Sequence, residues 1–447
     1  MTRKFATIQS DIEWQMREGA IRGGQKLPSV RELADRYSCS KSTVVKAYAE
    51  LEKRHLVYSV PQSGYYAVAK NGDIAPKPRT VVDFATASPD PELFPYRDFQ
   101  HCLNKAIDKY RNDLFLYGTP QGLPSFLNVL SKHLPDSQVF ARPDEMVVTS
   151  GVQQALHLLA TMPFPSGKRT VLLEQPGYHL LIRLLETHGI PALGIARDEQ
   201  GIDLDRLESL FRAGDVKMFY TMPRFHNPLG TCYSERTKKA IAELAARYDV
   251  YVIEDDYLAD LETEPKRDPI HAYDSSRTVY LKSFSKILFP GLRLGVAVLP
   301  PPLRETFKTY KQLSDYDSSL LSQAALEIYM QNGMFDRRRR KIAAAYHRRM
   351  RLLTESLDTY NDTGYVRHAN VRSGVHTHLV LPEKLNVADL IRKLLPRQII
   401  VKDSSSCFLP NTDPLPILKL SVFQAAEDRI EDSARQLMNA IKDSVTK

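Results

Sequence analysis

In the first seventy residues, apolar and polar positions alternate with a helical period. Val44, Tyr48 and Leu51 stand at i, i+4 and i+7 and predict one buried stripe, with Ser40 placed to cap the helix that carries it. Upstream, Ser29-Val30-Arg31-Glu32 has the S-x-x-E form of a capping box directly after Leu27-Pro28, which predicts a helix from Val30 to about Tyr37. Two helices joined at Ser38-Cys39 make a helix-turn-helix. The β-prone runs 56–60 and 64–68, separated by Pro61-Gln62-Ser63, predict a short hairpin, or wing.

The pattern then changes. Residues 69–79 are polar and contain Gly72, Pro76 and Pro78, the composition of a semi-stiff tether. The expected organisation is a small domain over 1–69, a linker over 70–81 and a large unit over 82–447. That unit would have a large lobe at about 115–305 and a smaller one from 82–114 with 306–447. Within it, β-branched or aliphatic runs at 146–149, 171–174, 216–221, 250–254, 278–281 and 294–299 alternate with helical patterns. Such alternation predicts an α/β fold with a mostly parallel sheet and helices on its faces. Polar segments follow most of these runs: Ser150-Gly151, Pro176-Gly177-Tyr178, His226-Asn227-Pro228, Asp255-Asp256-Tyr257 and Ser283-Phe284-Ser285-Lys286. In open α/β sheets ligands bind outside the carboxyl ends of strands, so these segments are expected to converge on one crevice.

Composition adds bounds. The 447 residues are 43% hydrophobic and 26% charged, average for a globular protein, which excludes a disordered or collagen-like chain. Four scattered cysteines, with no C-x-x-C pair, predict neither a disulfide framework nor a zinc site and suit a reducing compartment. The first fourteen residues lack the apolar core of a signal peptide and no run of 18 apolar residues occurs, so the expectation is a cytoplasmic protein without a membrane span. The net charge of +8 is mild, but residues 1–70 hold twelve Lys+Arg against seven Asp+Glu and so carry +5 of it. This asymmetry points to nucleic acid, although a small solvated basic face would look the same.

The motifs of residues 27–34, 40–48, 50–52 and 63–65 together resemble the GntR-type winged helix-turn-helix, over nearly all of residues 5–68. The resemblance implies binding to a double-stranded DNA operator, with the second helix entering the major groove by its N-terminal end. Ser40, Lys41, Ser42 and Thr43 would lie there, a lysine able to reach guanine or phosphate and hydroxyls able to reach base or backbone. Arg31 and Lys46 are further expected contacts, and Gly64 would let the wing approach the minor groove.

In the large unit a lysine, an acid, a tyrosine, an asparagine, hydroxyls and an arginine, each from a different strand end, are what a pyridoxal phosphate site needs. The lysine forms a Schiff base, a carboxylate keeps the ring nitrogen protonated, and fixed donors hold the phosphate. Taken singly these residues have plainer explanations: a lysine after a strand is usually on the surface, and Asp255-Asp256 can cap a helix or bind a cation. Residues 283–295, however, resemble the lysine signature of class I aminotransferases of fold type I, in the form found in the MocR subfamily of GntR regulators, which fuse these two domains in this order. The resemblance implies Lys286 as the Schiff-base lysine, Ser283, Ser285 and Arg293 at the phosphate, and Asp255 as the pyridinium partner. It further implies Tyr257 and Asn227 at the ring hydroxyl, Tyr178 stacked on the ring, and Gly151, Val152 and Gln153 offering amides to the phosphate. Tyr117 would reach the phosphate of a neighbouring subunit in a head-to-tail homodimer.

One departure falls at the substrate end. Family enzymes clamp an amino acid's carboxylate with an arginine near the C-terminus, where this chain has Lys419, which keeps the charge but not the planar fork. His376 and His378, in the same region, are expected to be structural, and the basic run 337–341, continued by Arg348, Arg349 and Arg351, a solvated helix face partly neutralised by neighbouring acids, with a second DNA-contacting patch as the alternative. The expected function is a pyridoxal-phosphate-dependent transcriptional regulator sensing an amine, an amino acid or the cofactor itself. A genuine aminotransferase with a DNA-binding appendage is the alternative.

Overall fold

A computed structural model of the chain describes residues 4–21, 24–54, 56–60, 63–67, 81–262, 267–362, 364–371, 373–410, 412 and 414–445. The expected linker lies outside the described residues except for Val81, as do Pro61, Gln62 and Val68 of the expected wing. Two units are distinguished, Met1–Arg79 and Thr80–Lys447.

The first unit holds helices α1 (Lys4–Arg17), α2 (Val30–Arg36) and α3 (Lys41–Lys53), then antiparallel strands β1 (Val57–Val60) and β2 (Gly64–Ala67). The capping box forms in both directions: the Ser29 hydroxyl accepts from the Glu32 amide and the Glu32 carboxylate accepts from the Ser29 amide, each at 3.2 Å. Val44, Tyr48 and Leu51 are fully buried, packed with Ile8 and Ile12 of α1. Tyr48 donates to the Pro28 carbonyl and stacks on Tyr65 of β2 at 4.1 Å, so one side chain ties α3 both to the start of α2 and to the wing. Sequence reasoning leaves α1 unassigned, because its apolar positions are interleaved with charges and no capping residue announces it.

The second unit is built on a seven-stranded sheet in the order Met146–Thr149, Gly295–Val298, Thr278–Ser283, Tyr251–Asp255, Val216–Thr221, Thr170–Gln175, Ala192–Ala196. Every pairing is parallel except those of Gly295–Val298, which runs antiparallel to both neighbours. All residues of its strands but those of the edge strand Ala192–Ala196 are buried, consistent with helices on both faces. That edge strand, Ala-Leu-Gly-Ile-Ala, is the one the sequence does not announce, since it is short and interrupted by Gly194. A smaller sheet pairs His376–Val380 with Ile417–Ser421, flanked by Arg367–His368 and Lys402–Asp403. The helices Met334–Tyr360 and Ile430–Val445 share a core cluster with it. Among the described residues no helix is long and apolar enough to cross a membrane, and the four cysteines are free.

Candidate functional site

Five strands of the large sheet lead into one cavity of about 590 Å³, closed on the far side by the smaller sheet. Tyr178, Asn227, Asp255, Tyr257, Ser283, Ser285, Lys286, Arg293 and Lys419 line it, together with Gly151, Val152 and Gln153. The sequence-predicted residues therefore converge, with one exception: Tyr117 is 87% exposed and lies outside the cavity, its ring 5.5 Å from that of Tyr316.

The acid end of the site is set by Asp255, the last residue of its strand. Tyr220 donates to one carboxylate oxygen at 2.8 Å, and the other is buried without a hydrogen-bond partner among the described residues. Burial pushes the carboxyl up to about 7. The neighbouring Asp256 is engaged elsewhere, by Arg224 and by the Tyr280 hydroxyl at 2.7 Å. Lys286 follows the adjacent strand and donates to the Ala87 carbonyl at 2.5 Å. Burial lowers its ammonium to about 8.

At the other end the helix Val152–Thr161 opens on the cavity with no side chain capping it, so its first amides are free to meet an anion. Arg293 lies alongside, in the left-handed region at φ +51°, and donates to the Ser150 carbonyl at 2.9 Å. Gly151, at φ +86°, is required here: a Cβ would stand 2.9 Å from the Arg293 guanidinium.

Behind the cavity a buried ionic cluster braces two of the loops. Glu174 accepts from Arg197 and from the Thr221 hydroxyl, each at 2.6 Å, from the Met222 amide at 3.1 Å and from the Tyr233 hydroxyl. Burial opposes its ionisation, but Arg197 and His226 outweigh it and hold the carboxyl well below its ordinary range. The Arg197 guanidinium also lies 3.9 Å over the Tyr233 ring. The cluster fixes the strand ends that lead to Tyr178 and Asn227.

The substrate end holds Lys419, whose ammonium donates to the Asn227 side-chain oxygen at 2.8 Å and is lowered by burial to about 8. Asn227 thus bonds a lysine, and the Tyr257 hydroxyl donates to the Phe225 carbonyl at 3.1 Å. His378 is structural as expected, bonded through Nδ1 to the Leu229 carbonyl at 2.9 Å. His376 lines the cavity, packed against Tyr257 and Phe423.

In the first unit Lys41, Ser42 and Lys46 are exposed along α3, and Arg31 on α2. The Ser40 oxygen is already used, accepting from the Thr43 amide at 3.3 Å and lying 2.8 Å from the Ser42 hydroxyl, so Ser40 acts first as the helix cap. Lys46 stands 5.0 Å over the Phe5 ring, and Gly64 opens β2 at φ +114°.

Residues 92–413 match the family described as aminotransferase class I and II, and residues 5–66 match the bacterial regulatory proteins of the gntR family. The chain belongs to the class I and II aminotransferase family, fused to a GntR reading head. This is the MocR architecture. The chain is 49% identical to the uncharacterized HTH-type transcriptional regulator YcxD of Bacillus subtilis, over 98% of this chain and 99% of that one. Among solved structures it resembles the kynurenine aminotransferase of Pyrococcus horikoshii in complex with PMP, with TM-score 0.75, 25% identity, and coverage of 81% of this chain and 91% of that one. LysN, the α-aminoadipate aminotransferase of Thermus thermophilus complexed with N-(5'-phosphopyridoxyl)-L-leucine, gives TM-score 0.74 at 25% identity over 82% of this chain and 94% of that one.

In this MocR-type chain sequence reasoning misses several parts of the cavity wall: the segment 85–88, His179, and the loop Lys402 to Cys407. His179 stands next to the predicted Tyr178, while the segments 85–88 and 402–407 carry no recognisable motif and are brought in by the fold. The basic run 337–341 starts the long helix Met334–Tyr360. Arg339 pairs there with Asp136 and Asp336, while Arg348 pairs with Glu427 and Arg349 with Asp90. His133 comes close to the same two carboxylates, and Arg339 pairs with both and offsets one of their two charges.

Proposed function

We propose that the chain is a DNA-binding transcriptional regulator whose aminotransferase-like unit holds pyridoxal 5'-phosphate and senses a small amine or amino acid. The observation that carries this reading is the bare, buried oxygen of Asp255 in a cavity that also holds Lys286 and an uncapped helix start, in a chain whose α3 exposes Lys41 and Ser42. Domains 1–69 and 82–447, joined by a tether over 70–81, would be reading head and sensor, working where the DNA is, in the cytoplasm.

The residues fit the cofactor. Asp255 would pair with the ring nitrogen, using the oxygen that Tyr220 leaves free. Arg293, Ser283, Ser285 and the amides of Val152 and Gln153 would hold the phosphate, and Tyr178 would cover the ring. When bound, the cofactor supplies an aldehyde for Lys286 and an electron-withdrawing ring. Lys286, lowered by burial, holds its proton less tightly than a surface lysine and is the better nucleophile near neutral pH.

A second copy of the chain would complete the site. Phe115, Leu116, Tyr117, Leu313 and Tyr316 are all exposed, an apolar group of the kind that marks a protein interface. A head-to-tail homodimer would cover it and present two reading heads to two half-sites.

Footprinting of the full-length protein on its own upstream DNA, with and without pyridoxal phosphate, tests the reading: protection of a defined operator is expected, altered by an amine or amino acid. The absence of any protected sequence would overturn it. A ligand can switch the protein only as far as it binds two conformations unequally.

A further inference from the structure

His376 is 1% exposed and lines the cavity, yet neither ring nitrogen has a hydrogen-bond partner among the described residues. The ring is held on two sides, lying near-parallel to Tyr257 with centroids 6.5 Å apart and edge-on to Phe423 at 5.6 Å. Burial, reinforced by Lys419 and Lys286, keeps it uncharged, with its pKa well below the ordinary histidine value. A neutral imidazole offers one donor and one acceptor, and leaving both unmet in a buried place costs free energy that a ligand can recover.

Lys419 is unfinished in a matching way. Its half-buried ammonium has a neutral amide, Asn227, as its hydrogen-bond partner and no carboxylate partner among the described residues. A half-buried charge without a counter-charge calls for an anion. The strand register sets the two side chains together: His376 faces Ser421 and His378 faces Lys419, which puts His376 and Lys419 on one face as diagonal neighbours. Diagonal positions lie about 7–8 Å apart, a spacing from which two side chains can converge on one small group.

We propose that His376 is a specificity-determining residue, which with Lys419 takes the acid group of a carboxylate-bearing amine, one hydrogen bond from each, in place of a guanidinium fork. The proposal rests on the cofactor reading above, because the ligand's amine must then lie toward Lys286 and its acid toward the smaller sheet. It narrows the ligand class from amines in general to amino acids, and excludes simple amines as the preferred effector.

Two probes differing only in the acid group test it: N-(5'-phosphopyridoxyl)-L-alanine and N-(5'-phosphopyridoxyl)ethylamine, titrated calorimetrically into the full-length cofactor-free protein. The wild type is expected to prefer the alanine conjugate by about tenfold or more, the range for a hydrogen bond to a charged group. H376F, which keeps a ring but no donor, is expected to lose most of that preference, and H376Q, which restores a donor, to regain part of it. H376L is measured alongside, so that a packing failure in one variant is separated from loss of the donor. Equal affinities for the two probes in the wild type, or an undiminished preference in both H376F and H376L, would overturn the proposal. If the wild type binds neither conjugate nor pyridoxal phosphate, the cofactor reading itself fails; if it binds both conjugates equally, only the acid-group assignment does.

Discussion

Tyr220 donates its hydroxyl to one oxygen of the Asp255 carboxylate, and the other, also buried, has no hydrogen-bond partner among the described residues. One oxygen of the carboxyl thus stays open in a cavity that also holds Lys286.

The first expectation concerns pH. The Asp255 carboxyl rises from 3.8 to about 7 on folding, mainly through burial, so the folded cofactor-free protein favours the protonated form. Its contribution to stability is full below pH 3.8 and is lost as pH rises to about 7. D255N removes that loss, so its melting temperature without cofactor should fall less between pH 5 and 8 than that of the wild type. The same variant should bind pyridoxal phosphate at least about tenfold more weakly, since the ring nitrogen loses its ionic partner.

Lys286 gives a kinetic counterpart. Its ammonium is lowered from 10.5 to about 8 by burial, and only the free amine attacks the cofactor aldehyde. The rate of cofactor capture, followed by stopped-flow absorbance, should rise with pH to a half-maximum near 8. A half-maximum near 10.5 would show the lysine to be solvated. Borohydride treatment should fix the cofactor to the wild type and not to K286A.

The Glu174–Arg197 pair is a matter of stability. Both side chains are fully buried and bonded at 2.6 Å, so R197M takes from Glu174 its guanidinium and leaves a buried carboxylate with only His226 and the Thr221, Met222 and Tyr233 donors against it. Breaking one side of such a pair costs about 3–5 kcal/mol. Urea unfolding should show a loss of that size in R197M and recovery of much of it in the double variant E174Q/R197M.

For the reading head, Lys41 lies exposed at the start of α3. If it meets phosphate, K41A should weaken binding to all DNA alike and reduce the slope of log affinity against log salt by about 1. If it meets a guanine, specificity at one base pair falls instead. Fluorescence anisotropy across a salt series separates the two.

Much of this was legible from residue order. The capping box at Ser29 and Glu32, the stripe of Val44, Tyr48 and Leu51, and six strands of the large sheet follow from local spacing, and they fall where the structure has them. The residues that line the cavity were legible because five apolar runs lead directly into them, and the strand ends of an open α/β sheet share a crevice; the family resemblance supplied the role expected of each. What was not legible depends on distant packing. His376 and His378 are two residues apart, on one strand face, and have opposite roles: one finds the Leu229 carbonyl and the other an aromatic slot open to the cavity. No local pattern distinguishes them.

Gly230 has one more implication. A Cβ there would stand 2.0 Å from the carbonyl oxygen of His376, so the Asn227 loop and the strand of the smaller sheet touch backbone to backbone, at φ +78°. No side chain cushions the contact, and neither partner can shift to make room. An engineer wishing to reshape this cavity therefore has side chains at 376 and 419 to exchange, and the 402–407 segment to alter, but not the distance between loop and strand.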